Sequence, residues 1–202
     1  MGNSTVGITG GIGSGKSVVS RILRCNGFEV YDCDSEAKFL MANDSKIKES
    51  LQNELGEEIY NKRGDINKKK LSSLIFSDKK IRDFVNSIVH KAVKEDILRR
   101  IKKSNGNFFF ESAILFSSGL DQYCSSIWVI ESPLKERIER VLKRDNLSIS
   151  EIEKRIKSQE NEFPEKDINK EIIIRNDDRH PMLSVILKLT NKFNNQIFSI
   201  SC

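Results

Sequence analysis

Between Gly7 and Ser17 the chain reads Gly-Ile-Thr-Gly-Gly-Ile-Gly-Ser-Gly-Lys-Ser, a run whose residue types suit one task, the holding of a polyphosphate. Gly10, four intervening residues and Gly15-Lys16-Ser17 fit the phosphate-binding loop that joins a strand to a helix. Without Cβ atoms the glycines can take positive φ and let backbone N–H groups approach the phosphates. The cradle would comprise Gly11, Ile12, Gly13, Ser14, Gly15, Lys16, Ser17 and Val18, at the positive end of the helix that follows. Lys16 would reach the β- and γ-phosphates, and the Ser17 hydroxyl would ligate Mg²⁺. A flexible Gly-Ser linker is the plain alternative, but this run sits between a strand pattern and a helix pattern. Such loops serve kinases, ATPases and switch GTPases alike, so the acceptor must be read elsewhere.

Three further groups carry chemistry at useful spacing. Asp32 and Asp34 flank Cys33 just past a strand-like run; in an extended segment residues two apart point to the same side, which turns both carboxylates toward the nucleotide. One suits a general base on an acceptor hydroxyl, the other its orientation or a Mg²⁺-bound water. The competing reading is a helix N-cap at Asp34, ahead of Ser35-Glu36-Ala37. Arg137, Arg140 and Arg144, spaced three and four apart, share a helix face, and Arg155 and Gln159 share a face of the next helix. A stripe of this kind can stabilise charge on a transferred phosphoryl group. Ordinary surface pairing, Glu136 with Arg140 and Glu139 with Lys143, accounts for it equally well. His90 lies in an apolar helical stretch, where a structural role competes with contact to substrate. Cys33 reads as a small packed residue, because a thiolate beside two aspartates is disfavoured.

Strands must bring these residues together. Ser4–Thr9, Phe28–Tyr31, Phe108–Phe110, Ile127–Ile130 and Glu171–Ile174 read as strands, several of them unalternating apolar runs of the kind that suit parallel strands buried on both faces. The stretches between them read as helices. One follows the loop with Val18, Val19, Ile22 and Leu23 on a face, and Asn67 and Asp78 are placed to cap two more. Pro133 would start a helix running to about Arg144. Ser148 and Glu151 have capping-box spacing for one running to about Asn161, and Pro181 would start the last. Alternating strands and helices imply a parallel sheet with helices on both faces, and ligands in such sheets bind beyond the carboxyl ends of the strands. Those ends carry the loop, Asp32 to Asp34, Glu111, Glu131-Ser132 and Arg175-Asn176. The block from about 35 to 104 is helical between two strands, a substrate-binding insertion.

At 202 residues, 38% hydrophobic and 31% charged, the chain suits one soluble α/β domain with an insertion. A net charge of +5 is compatible with an anionic substrate. The clusters Lys68-Lys69-Lys70 and Arg99-Arg100-Ile101-Lys102-Lys103 lack interleaved aromatics, which argues against nucleic acid as a partner. Cys25, Cys33, Cys124 and Cys202 are scattered without zinc spacing, as in a reduced cytoplasmic chain. No run approaches a membrane span, and Val6 stands where a myristoylation motif would place Ser or Thr.

On these residues the chain resembles the dephospho-coenzyme A kinase family. The resemblance rests on the extended loop Gly7–Ser17 and on Val30-Tyr31-Asp32-Cys33-Asp34. Gly64-Asp65-Ile66, Leu71, Phe76, His90, Arg140 with Arg144-Asp145, Arg155-Ile156, Gln159 and Asn176 extend it over residues 7 to 176. It implies a P-loop, nucleoside-monophosphate-kinase-like α/β fold of three layers around a parallel five-stranded sheet. The core would span about 1–34, 105–136 and 168–202, with a helical coenzyme-binding insertion at 35–104 and a lid at 137–167. It also implies ATP-dependent phosphorylation of the ribose 3′-hydroxyl of dephospho-coenzyme A by a cytoplasmic monomer. Asp34 would be the base, Lys16 and Arg140 would clamp the phosphates, and Arg144 and Asn176 would join the ATP site. Thr9, Asp32, His90, Glu111 and Arg155 would join Asp34 on the acceptor. The family's usual Ala is Cys33 here, its His-Pro is His90-Lys91, and its usual Gln in the lid helix is Arg137. A P-loop kinase with another nucleotide-like acceptor is the competing reading. A GTPase switch would need Asn-Lys-x-Asp, and Asn191-Lys192-Phe193-Asn194 lacks the Asp.

Overall fold

The structure, a computed structural model, describes residues 4–104, 106–145, 147–159, 162, 170–177, 179–180 and 182–194. Along the chain run β1 (Thr5–Thr9), α1 (Lys16–Cys25), β2 (Val30–Asp32), α2 (Cys33–Asn43), α3 (Ser45–Leu55), α4 (Lys68–Ser77) and α5 (Lys79–Lys103). They are followed by β3 (Phe108–Glu111), β4 (Ser126–Glu131), α6 (Leu134–Arg144), α7 (Ile149–Ser158), β5 (Glu171–Arg175) and α8 (Met182–Asn194). Two compact units result, residues 1–32 with 104–202, and residues 33–103.

The first unit is built on a five-stranded sheet in the order β2-β3-β1-β4-β5, with every described pairing parallel. Its middle strands carry buried apolar stretches, residues 6–8, 108–110 and 127–130, because parallel crossovers cover both faces. Val6 and Ile8 of β1, Phe109, Trp128, Ile130 and Ile174 join Val19 and Leu23 of α1 and Met182 and Ile186 of α8 in one core. Phe109 is its aromatic centre, with edge-on contacts to Phe28, Trp128 and Phe193 at 5.1, 5.7 and 5.5 Å. The other sheet face is reached at Gly7, where a Cβ would lie 2.8 Å from Cys124 Sγ and 3.2 Å from Leu115. Burial there pushes the Cys124 thiol up to about 12, so it serves as a packed apolar group.

The second unit is helical. Asp44 caps α3 by accepting from Lys46 and Ile47 N–H, and Asn67 caps α4 through Lys70 N–H. Asp78 accepts from Lys80 N–H at the start of α5. Ile47, Leu51, Ile59, Leu71, Val85, Val89, Val93 and Ile97 are buried in it, with Cys33 and Tyr60.

Most expected elements form, with shifts at their ends. The second strand is Val30–Asp32, not Phe28–Tyr31, and α2 starts directly at Cys33. Asp34 therefore stands neither in an extended segment beside Asp32 nor at an N-cap; it lies in the first helical turn, where a carboxylate favours the helix dipole. Pro133 precedes α6 as its N-cap instead of entering the first turn. The capping box at Ser148 and Glu151 forms, and its helix ends at Ser158. Met1, Gly2, Asn161, Pro181, Cys202 and residues 163–167 of the expected lid lie outside the described residues.

Candidate active site

The loop between β1 and α1 has the backbone its glycines imply. Gly13 and Gly15 take φ of 75° and 106°, values that L side chains rarely adopt. The space beside them is also filled. A Cβ on Gly13 would stand 2.5 Å from the Arg137 carbonyl oxygen, and one on Gly15 would run into the Asn176 carboxamide. Lys16 folds over the loop, its Nζ donating to Gly10 O at 2.7 Å and Gly11 O at 3.4 Å. Ser17 is exposed in the first turn of α1.

Side chains from three later elements hold this loop. Arg137 of α6 donates Nε to Ile12 O at 2.9 Å, while Gln159, just after α7, accepts from Ile12 N–H at 2.8 Å. Both polar groups of one loop peptide residue are thus satisfied from the region after β4. Burial lowers the Arg137 pKa, yet arginine stays charged at neutral pH. Arg140 donates to Ser132 Oγ at 2.7 Å, Glu136 at 2.6 Å, Gly13 O at 3.4 Å and Asn176 O at 3.3 Å. Asn176, immediately past β5, donates Nδ2 to Ser14 O at 2.6 Å. Of the two readings of the arginine stripe, the ordinary pairing with Glu136 is present at Arg140, and the same guanidinium touches the loop. Arg144 forks Asp145 at 2.9 and 2.8 Å, and that hydrogen-bonded fork, with the charges of Arg144 and Arg155, holds the Asp145 carboxyl below its ordinary range.

The carboxyl ends of the strands gather the acids. Asp32 and Glu111 are register partners on β2 and β3, and Glu111 accepts from the buried Ser20 Oγ of α1 at 2.6 Å. Glu131 and Arg175 are partners on β4 and β5. Thr9 Oγ1 and Ser14 Oγ are buried at this edge without a hydrogen-bond partner among the described residues. A cavity of about 450 Å³ opens beside Gly11 and Ser14, over Phe116, Val129, Ile130 and Pro133, with Arg137 and Arg175 among its charged lining. Its size is within the range of small-ligand sites. Asp34 and His90 belong to the helical unit and are exposed; Arg155 is exposed on α7. Sequence reasoning missed the Ser20–Glu111 bond and the part of Ser132 as acceptor for Arg140. The signal for Ser132 was its place one residue past a strand end.

A phosphate loop at the carboxyl edge of a parallel sheet in the order β2-β3-β1-β4-β5, held by arginines, is the architecture of the P-loop nucleotide-binding class. The family model for dephospho-CoA kinase matches residues 4–181. The chain is similar to the dephospho-CoA kinase of Porphyromonas gingivalis, 42% identical over 159 residues that cover 78% of each sequence. Among solved structures it is similar to TT1252 from Thermus thermophilus, with TM-score 0.77 and 27% identity over 95% of this chain and 98% of that one. The dephospho-CoA kinase from Campylobacter jejuni shares the fold, with TM-score 0.67 and 23% identity over 93% and 96% of the two chains. The chain belongs to the dephospho-CoA kinase family, and it is a kinase that transfers phosphate to a hydroxyl group of a small-molecule substrate. No helix among the described residues is long and apolar enough to cross a membrane.

Proposed function

We propose that the enzyme transfers the γ-phosphoryl group of ATP to the ribose 3′-hydroxyl of dephospho-CoA, giving CoA and ADP. The family match over residues 4–181 carries this reading, and the preformed loop beside a sheet edge rich in acids supports it. The N–H groups from Gly11 to Val18 cradle the phosphates once Gln159 releases Ile12 N–H, Lys16 exchanges its loop carbonyls for the β- and γ-phosphates, and Arg140, with Arg144, neutralises charge on the transferred group. Asp34 takes the proton of the 3′-hydroxyl as its oxygen bonds to the γ-phosphorus and the bond to the β–γ bridging oxygen breaks. Asp32 orients the acceptor. The Ser17 hydroxyl is a hard oxygen donor, exposed in the first turn of α1, that would hold Mg²⁺, and the ion would supply neutralisation of phosphate charge. Asn176 completes the ATP site, while Thr9, His90, Glu111 and Arg155 serve the acceptor. The helical unit at 33–103 binds the coenzyme portion, and the segment from about 137 to 167, which includes most of α6 and all of α7, forms the lid. Thiols at Cys25 and Cys124 accord with a reduced cytoplasmic enzyme, which we take to act as a monomer.

The test is ADP release with ATP and Mg²⁺ in the presence of dephospho-CoA, adenosine, AMP or no acceptor. Release that requires dephospho-CoA and yields a 3′-phosphorylated product is expected. Release driven by another acceptor would replace this reading with that of a different P-loop kinase.

A further inference from the structure

The helix that begins with Cys33 and Asp34 has little apolar anchorage of its own. Cys33 is its one buried residue, and Phe39 is 59% exposed. It packs chiefly on α5, and side chains from elsewhere in the helical unit tie both of its ends. At the carboxyl end the Tyr60 hydroxyl, whose pKa burial raises, donates to Met41 O at 2.7 Å. At the amino end Arg100 of α5 reaches Glu36 at 3.7 Å.

Arg100 is itself held. Its Nε donates to Asp96 Oδ2 at 3.2 Å, and Asp96, 5% exposed, also takes the guanidinium of Arg99. A carboxylate this far from water persists only when paired, so Asp96 obliges two arginines to stay in place around it. The planar fork of Arg100 then serves two acids in directions a lysine ammonium would not fix. Glu36 is two residues after Asp34, hence on a different face of the same first turn. The pair therefore acts on the turn that presents Asp34.

We propose that Arg100, oriented by the buried Asp96 and paired with Glu36, is a positioning residue that sets the first turn of α2 and with it the carboxylate of Asp34. The proposal rests on the reading of Asp34 as the base. A shift of about 1 Å in a reacting group can cost on the order of 100-fold, so a loosened turn should lower kcat while leaving the KM for ATP alone.

The experiment is a kinetic cycle on the full chain with ATP and dephospho-CoA. Arg100→Met should lower kcat roughly tenfold at unchanged KM for ATP, and Arg100→Lys should recover only part of it. Glu36→Gln, a milder change at a half-exposed residue, should lower kcat in the same direction and should not add to Arg100→Met. In an Asp34→Asn background, itself down by about 10²–10⁴-fold, Arg100→Met should have no further effect on kcat. The same loss in both backgrounds would reduce Arg100 to a general stabiliser and overturn the proposal, as would unchanged kcat in Arg100→Met and Glu36→Gln. Near-normal turnover in Asp34→Asn alone would instead remove the reading of Asp34, a failure visible in that single variant. Should Arg100→Met not fold, Glu36→Gln in the two backgrounds decides the question.

Discussion

The phosphate loop and α2 each carry a residue proposed to meet the reacting groups, yet they are held in opposite ways. The loop is over-determined: glycine φ values, the Lys16 fold-back, Arg137 and Gln159 on Ile12, Arg140 on Gly13, and Asn176 on Ser14 all fix the same few residues. Helix α2 has one buried residue and polar ties at its ends. The backbone of the proposed phosphate site is fixed in advance, with Lys16 having to give up its two carbonyls and Gln159 to release Ile12 N–H; the element that presents the proposed base has polar ties from its own unit at both ends. Rigid donors cost nothing to reorganise during reaction. A helix with a single buried residue can be re-aimed by changes in its polar ties.

The largest effect expected from breaking this contrast is at Lys16. Lys16→Ala removes the charge proposed to meet the phosphates and also frees the Gly10 and Gly11 carbonyls, so kcat/KM should fall by about 10²–10³-fold or more. The measurement is steady-state ADP release, with nucleotide binding by fluorescence titration beside it. Retained activity would mean that the loop does not hold the reacting phosphates.

Next comes a paired comparison of stability. Gly13→Ala forces a Cβ at φ 75° against the backbone of Arg137, a strain of roughly 1–3 kcal/mol. In a chain of this size each kcal/mol lowers Tm by about 2–4 °C. Phe39→Ser, at a side chain 59% exposed on α2, should stay within about 0.5 kcal/mol. Equal Tm losses in the two variants would erase the claimed difference between the regions.

The same contrast explains what could be read from the sequence. The loop was legible because its function is a backbone conformation, and glycine spacing specifies backbone locally. The caps at Asn67, Asp78 and Ser148 were legible for the same reason, since each bond spans only two or three residues. The clamp on Ile12 was not, because Arg137 and Gln159 reach it across 125 and 147 residues. The geometry of Asp34 was misjudged over a single residue: Cys33 opens the helix at once, so the alternation that pairs Asp32 with Asp34 in a strand does not apply. Arg100 gave no sign at all. In sequence it is one of a basic cluster at a helix end, and only the burial of Asp96 and the approach of Glu36 distinguish it from its neighbours.

The smallest effect sharpens the contrast from within the first unit, at the junction after α6. Arg144 and Asp145 lie on its surface, so their pair is tied as loosely as any in the helical unit. Because the Asp145 pKa is lower folded than unfolded, its contribution is present above the unfolded value near 4 and is lost as pH falls through the folded value. Arg144→Gln should therefore lower Tm slightly at pH 7, and the gap to the parent chain should close on acidification below about pH 4. Added salt at pH 7 should narrow the same gap, because exposed pairs are screened. A gap that persisted in strong acid would have another origin, such as lost packing of the arginine stem along α6. A gap that ignored salt but closed with pH would mean that the pair is less open to solvent than the 59% exposure of the Arg144 side chain implies.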